Sequence, residues 1–395
     1  MKKILSVLLV SAALGCGGCA SSPSDAAAGP YGSRAAEFFD RLWTLYRVPS
    51  EGLFSEYYPT SHRPDVNYFE DGARSPQEVS FLWPMDGVFT SAIAMARLDP
   101  VKYRPYVDSM VMAVERYYDD ERVPAGYQAY PVDKERVDRY YDDNGLVGLA
   151  YVKAYGVTHD ARHLEKAKQV MTFILSGWRP DYDGGVSWLE GVENQKPGCA
   201  NGKAMLLALN LYDATGDDYY LVTGRRFYDW IDGRLHDADL DIVWNSWLTE
   251  PEGRLDKAVY SYNTGMLLEG AVMLYRQTGE RKYLDNARRL AEGGYRFYMR
   301  EDAEGRPHNR DIPWFYLVLF RGYQALYEVD GDPRYVDTFI RWMDYAWEHA
   351  RDKAGLFYND WSGGRDESRT PKWLLDEACV PEYFARAAEI RGETR

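Results

Sequence analysis

A seven-residue motif recurs four times along the chain and fixes what it can fold into. It reads Ala154-Tyr155-Gly156-Val157-Thr158-His159-Asp160, Leu211-Tyr212-Asp213-Ala214-Thr215-Gly216-Asp217, Leu274-Tyr275-Arg276-Gln277-Thr278-Gly279-Glu280 and Leu326-Tyr327-Glu328-Val329-Asp330-Gly331-Asp332. The Tyr-to-Tyr steps are 57, 63 and 52 residues, and a fainter copy, Arg97-Leu98-Asp99-Pro100, stands one step ahead of the first. In each copy an apolar-periodic helix ends at a residue suited to a left-handed cap, and an acid then opens the next helix. That is a helical hairpin with a tight turn, repeated. Thr158-His159 lacks the glycine of the other copies.

Apolar periodicity places twelve helices near 35–47, 78–97, 100–118, 139–156, 160–175, 199–214, 218–233, 260–277, 281–298, 313–330, 333–349 and 372–390. The even-numbered ones, such as the run Met266 to Leu274, are apolar nearly all round, as buried helices are. The odd-numbered ones, such as Arg281 to Glu292, are amphipathic. The expected architecture is therefore all-α, an (α/α)6 barrel of six hairpins with inner and outer rings; an open helical solenoid is the rival. Six pairs favour closure into one domain spanning 35–395.

The first residues read as an address rather than as fold. Met1-Lys2-Lys3 precedes an apolar run to Leu14, then Gly15-Cys16-Gly17-Gly18-Cys19. The run is too short to span a bilayer and has the plan of a secretory leader. Its small residues before Cys resemble a bacterial lipoprotein signal over 1–19, with Cys16 or Cys19 as the lipidated residue. Residues 20–34 are mostly Ala, Ser, Pro and Gly and read as a flexible tether. The expected location is the bacterial cell envelope, periplasmic or outer-membrane, with a lipid anchor as the membrane partner.

Charge and spacing remove several functions. Asp and Glu number 61 against 47 Lys and Arg, which argues against a nucleic-acid partner. Outside the leader's Cys16-Gly17-Gly18-Cys19 there is no CxxC spacing, and there is no HExxH, so neither a metal nor a cofactor is expected. Asp181-Tyr182-Asp183-Gly184-Gly185 lacks the length and closing Glu of a helical-hairpin calcium loop and reads as a turn. Cys199 and Cys379 are left unassigned as a pair.

What remains is chemistry at the starts of the even helices. Each long loop ends there, and those loops hold Trp83 and Asp86, Tyr141 to Asn144, Trp188, Asn201, Tyr262 and Asn263, Trp314, and Trp361. In a closed ring they converge on one face as an aromatic bowl floored by carboxylates and amides. Rings stack on the C–H faces of sugars while Asp and Asn pair with hydroxyls. Asp142-Asp143 is the sharpest feature. Two adjacent carboxyls cannot both ionise freely, and one ionised with one protonated carboxyl is the apparatus of glycoside hydrolysis. The same tandem is also good N-capping sequence.

Tyr140-Tyr141-Asp142-Asp143-Asn144 with Gly148-Leu149-Ala150-Tyr151 resembles the signature of glycoside hydrolase family 76. So do Gly184-Gly185-Val186-Ser187-Trp188, Lys196, Asn201-Gly202 and Tyr260-Ser261-Tyr262-Asn263-Thr264-Gly265. One departure is Gly145-Leu146, where that family usually carries Trp. The resemblance covers about 35–390. It implies a retaining endo-α-1,6-mannanase acting on α-mannan, with Asp142 matching the nucleophile and Asp143 the general acid/base. By the same resemblance, transglycosylation is an alternative outcome. Other readings are another barrel glycosidase, a glycan epimerase, which would want paired His in the bowl, and a non-catalytic glycan-binding lipoprotein.

Overall fold

The computed structural model describes residues 29–62, 77–250, 253–364 and 371–393. The expected leader and both candidate lipid sites, Cys16 and Cys19, lie outside them. Twelve helices are found among the described residues. In chain order they are α1 (Pro30–Tyr46), α2 (Leu82–Leu98), α3 (Pro100–Val114), α4 (Tyr141–Thr158), α5 (Ala161–Ser176) and α6 (Gly198–Thr215). Then follow α7 (Asp218–Arg234), α8 (Ser261–Thr278), α9 (Arg281–Tyr298), α10 (Pro313–Asp330), α11 (Arg334–His349) and α12 (Leu374–Ile390).

The even helices touch in the cycle α2, α4, α6, α8, α10, α12 and back to α2, so the inner ring is closed. The odd helices form the outer ring: α3, α5, α7, α9 and α11 each pack on the inner helix before them. The sixth pair differs from a tandem hairpin, because α12 takes α1 from the other end of the chain. The backbone N–H groups of Tyr31 and Gly32 donate to Glu393 at 3.0 Å, which seals that junction. The tether expected through residue 34 therefore gives way to helix at Pro30.

The repeat motif forms the turns at one end. His159, Gly216, Gly279 and Gly331 all adopt left-handed backbone, with φ of 56°, 68°, 72° and 72°. Each donates its N–H to the repeat tyrosine four residues earlier, Tyr155, Tyr212, Tyr275 or Tyr327. Asp160 and Asp217 then cap the next helix with their side chains.

The opposite end has its own repeat, offset eleven residues from the first. The fourth residue of an inner helix holds the segment that follows the preceding outer helix. Asn144 accepts from Tyr127 N–H at 2.7 Å and donates to the carbonyls of Tyr127 and Tyr140. Asn201 does the same with Val186 and Pro197. Thr264 accepts from Val243 N–H, and the Tyr316 hydroxyl donates to the Tyr298 carbonyl. In α12, Glu377 accepts from Phe357 N–H at 3.1 Å. These bonds satisfy backbone groups that burial would otherwise leave unpaired.

The loops at this end also carry short strands, which helical periodicity does not register. Ile242–Leu248 pairs with Gln195–Pro197, His236–Asp237 and Arg254–Val259. Its Ile-Val-Trp start has the residue types that favour a pleated, half-buried surface.

Candidate active site

A cleft of ≈ 340 Å³ opens at the N-terminal ends of the inner helices. Trp83 from α2, Asp142 from α4, Lys203 from α6, Tyr262 from α8 and Trp314 with Phe315 from α10 line it. The sheet side contributes Gln195 and Asn245. Aromatic walls come from four of the six inner helices or the loops before them. Trp83 meets Trp314 edge-on at 5.4 Å between ring centroids, and Tyr262 stacks on Tyr260 at 5.6 Å.

Asp142 is held from two sides. The indole N–H of Trp188 donates to its Oδ2 at 3.1 Å, and Lys203 Nζ stands 4.0 Å from the same oxygen. Trp188 reaches it because its loop is tied to the start of α4. Tyr141 N–H donates to the Trp188 carbonyl at 2.9 Å, and Glu190 N–H to the Arg139 carbonyl at 3.1 Å. Arg139 is buried and grips Glu190 with two nitrogens, at 2.7 and 2.5 Å. Lys203 reaches it because Gly145 leaves room: a Cβ there would lie 2.7 Å from Lys203 Cβ. Gly145 thus makes space for the lysine that faces Asp142.

Asp143, the next residue, is pushed well above the ordinary carboxyl range. Burial is the main cause, the charge of Asp142 adds to it and Asp86 contributes, while Lys203 opposes them. Asp143 is therefore the carboxyl that keeps a proton. This is the pairing of one anion-stabilised and one proton-retaining carboxyl that acid-assisted displacement at a sugar needs.

The residues singled out from sequence fall into three groups. Trp83, Asp142, Trp188, Tyr262 and Trp314 line the cleft as expected. Asp143, Asp86 and Asn263 stand outside the lining: Asp86 is 1% exposed, and Asn263 packs against Gly198 with both amide atoms unpartnered among the described residues. The third group is corrected. Asn144 and Asn201 are fully buried backbone clamps, their amides spent on the bonds given above. Tyr141 stacks on Phe173 of α5 and faces Gly177, away from the cleft. Trp361 is 2% exposed and packs edge-on to Tyr383 at 5.3 Å, inside the wall.

Sequence reasoning missed Lys203, Gln195 and Pro197 as lining residues, while Asn245, Tyr260, Phe315 and Cys199 lie in the loops it brought to this face without being singled out. Lys203 carried a readable signal, the one lysine of α6, standing just before its apolar run Ala204 to Leu209. The lining includes no histidine, so the paired His an epimerase would want is not brought there. The Asp181–Gly185 turn is ordered by Lys196, whose ammonium donates to the carbonyls of Asp181, Gly184 and Arg179 at 2.6, 2.8 and 3.3 Å. A side-chain cation occupies that nest of oxygens. Among the described residues no cluster suited to a metal is found. Cys199 and Cys379 are both free thiols.

Comparison with known proteins gives a consistent picture. The family 76 glycoside hydrolase (mannosidase) from Bacteroides thetaiotaomicron superimposes with a TM-score of 0.82 at 27% identity, over 92% of this chain and all of that one. An α-1,6-mannanase of Salegentibacter superimposes with a TM-score of 0.74 at 19% identity, over 91% of this chain and 99% of that one. That structure is an inactive variant, with two consecutive aspartates changed to asparagine, in complex with α-1,6-mannotriose. The mannan endo-1,6-alpha-mannosidase of Candida albicans is 28% identical over 243 residues, which are 54% of this chain. The matched stretch spans 52% of that curated relative, about half its length. The sequence pattern of glycosyl hydrolase family 76 matches residues 49–322. With its closed double ring of helices and its tandem aspartates at the cleft, this chain belongs to glycosyl hydrolase family 76.

Proposed function

We propose that the protein is a retaining endo-α-1,6-mannanase in which Asp142 is the nucleophile and Asp143 the general acid/base. The observation that carries this reading is the unequal pair. Asp142 faces the cleft, steadied by Trp188 and Lys203, while Asp143 beside it retains its proton. In the first step the Asp142 carboxylate attacks the anomeric carbon, the C1–O bond breaks, and Asp143 gives its proton to the departing oxygen. In the second, Asp143 takes a proton from water, the water oxygen attacks C1, and the ester to Asp142 opens. Two displacements retain the configuration. The open aromatic cleft suits an internal stretch of polymer, with rings stacking on successive sugars. Family membership and the mannanase names of the relatives support α-mannan as the substrate.

Product analysis on linear α-1,6-mannan tests this. The wild type should release oligosaccharides whose new reducing ends are first α. Asp142→Asn and Asp143→Asn should each lose about 10³-fold or more of the rate. A wild type that binds mannan without cleaving it would reject catalysis; products longer than the substrate would redirect it to transglycosylation. The leader sequence supports a further part of the proposal, anchoring at the bacterial cell envelope through a lipid on Cys16 or Cys19. Palmitate incorporation lost in one Cys→Ala variant and kept in the other would name the residue, and an unlabelled wild type would reject the anchor.

A further inference from the structure

Asp86 is a carboxylate with no role in the reading above. It sits on the fifth residue of α2, 1% exposed, behind the cleft wall. Its Oδ1 is buried without a hydrogen-bond partner among the described residues. A buried carboxylate left so poorly satisfied costs stability and persists only where something is gained from it. Its surroundings show what could be gained.

The groups facing Asp86 come from four inner helices. From α4 come Asp143 and Lys153, from α6 Lys203, from α10 Arg321, and from α12 Glu382. Two of these cations are engaged elsewhere: Lys203 leans on Asp142, and Arg321 donates to both oxygens of Glu382 at 2.8 and 2.6 Å. Lys153 lies nearly three turns further down α4 from Asp143. Asp86, fifth in α2, and Asp143, third in the touching helix α4, thus stand at nearly the same height in the inner ring, and Asp86 makes no ion pair among the described residues. Asp143 in turn has Asp142 on one side and Asp86 on the other, with Lys203 as its one nearby cation.

We propose that Asp86 is a positioning residue for the acid step: its buried negative charge, set behind Asp143, keeps the proton on Asp143 until a leaving oxygen takes it. Asp86 does not touch the sugar. It acts through Asp143, and the inference rests on Asp143 being the proton donor. Burial raises the proton affinity of Asp86 itself, to about 7, against the opposing charges of Arg321, Lys203 and Lys153. Once ionised as pH rises, Asp86 places a second negative charge beside Asp143, which opposes loss of the Asp143 proton.

The test is the pH profile of kcat/KM for wild type and Asp86→Asn on α-1,6-mannan, with Asp143→Asn as reference. The two profiles should coincide near pH 5, where Asp86 is neutral. Above pH 7 Asp86→Asn should fall away first, its alkaline limb moved to lower pH by about one unit. Asp86→Glu should restore the limb. A second readout is stability. The folded state binds a proton at Asp86 that the unfolded chain releases near pH 4, so the wild type loses stability as pH rises from about 4 to 7. Asp86→Asn should therefore melt above wild type at pH 8 and with it at pH 4. A uniform drop in rate with an unmoved alkaline limb would overturn the inference and leave the function intact. Full activity in Asp143→Asn would remove Asp143 as the donor, and the proposed function with it.

Discussion

At mid-height of the inner ring, Glu382 on α12 is gripped by Arg321 and Arg386, and those cations hold its carboxyl well below the usual range. Nearer the cleft, three aspartates, 142, 143 and 86, face one close lysine, 203, and two of them hold their protons above the ordinary range. Both layers lie inside the same ring, and both are built from inner-helix side chains. The difference is the ratio of cations to anions. The balanced layer contributes to holding the helices in register. The unbalanced layer stores proton affinity, which catalysis can use and stability cannot.

Breaking the balanced layer should have the largest effect on folding. Arg321→Met removes the two-nitrogen grip on Glu382, leaving it Arg386 alone, and should cost about 3 kcal/mol at pH 7, read from denaturant unfolding. The sign is opposite to that expected for Asp86→Asn above pH 7, and equal signs would dissolve the contrast. A smaller effect is expected at the rim. Asn144→Ala leaves the N–H and carbonyl of Tyr127 unpaired and should cost about 2 kcal/mol, with a lower kcat because the start of α4 loosens. An unchanged kcat would separate the clamp from the catalytic pair it adjoins. The smallest is at the turn end, where His159 adopts the left-handed backbone that glycine takes in the other three repeats. His159→Gly should gain about 0.5–1 kcal/mol without touching activity.

The ring was legible because its turns repeat. Four Tyr-x4-acid motifs fixed the hairpins, and the apolar character of the helices between them sorted inner from outer. The pairing of α12 with α1 was not legible, since it joins residues over 300 apart and no turn marks it. The site was read in part. Tandem aspartates at a helix start located the chemistry, but neighbouring residues were credited to the cleft with them. Successive helix positions point about 100° apart, so Tyr141, Asp142 and Asn144 cannot all face the axis. Tyr141 turns to α5, and Asn144 turns back to Tyr127. Residue type alone could not tell Asn144 and Asn201, which bind backbone, from an amide meant for a hydroxyl. Their shared position eleven residues before the repeat tyrosine could have, because a feature common to repeats serves the scaffold rather than one site.

The split pair at the ring's seam also decides orientation. Helix α1 begins beside Glu393, past the end of α12, and runs toward Lys372, whose carbonyl accepts from the Tyr46 hydroxyl. Gly29 therefore lies at the face of the hairpin turns, a full helix length from the aromatic cleft. Held by that side to any surface, the barrel stands upright with its mouth outward, so that a long polymer lying across the mouth would not have to pass between the protein and its support.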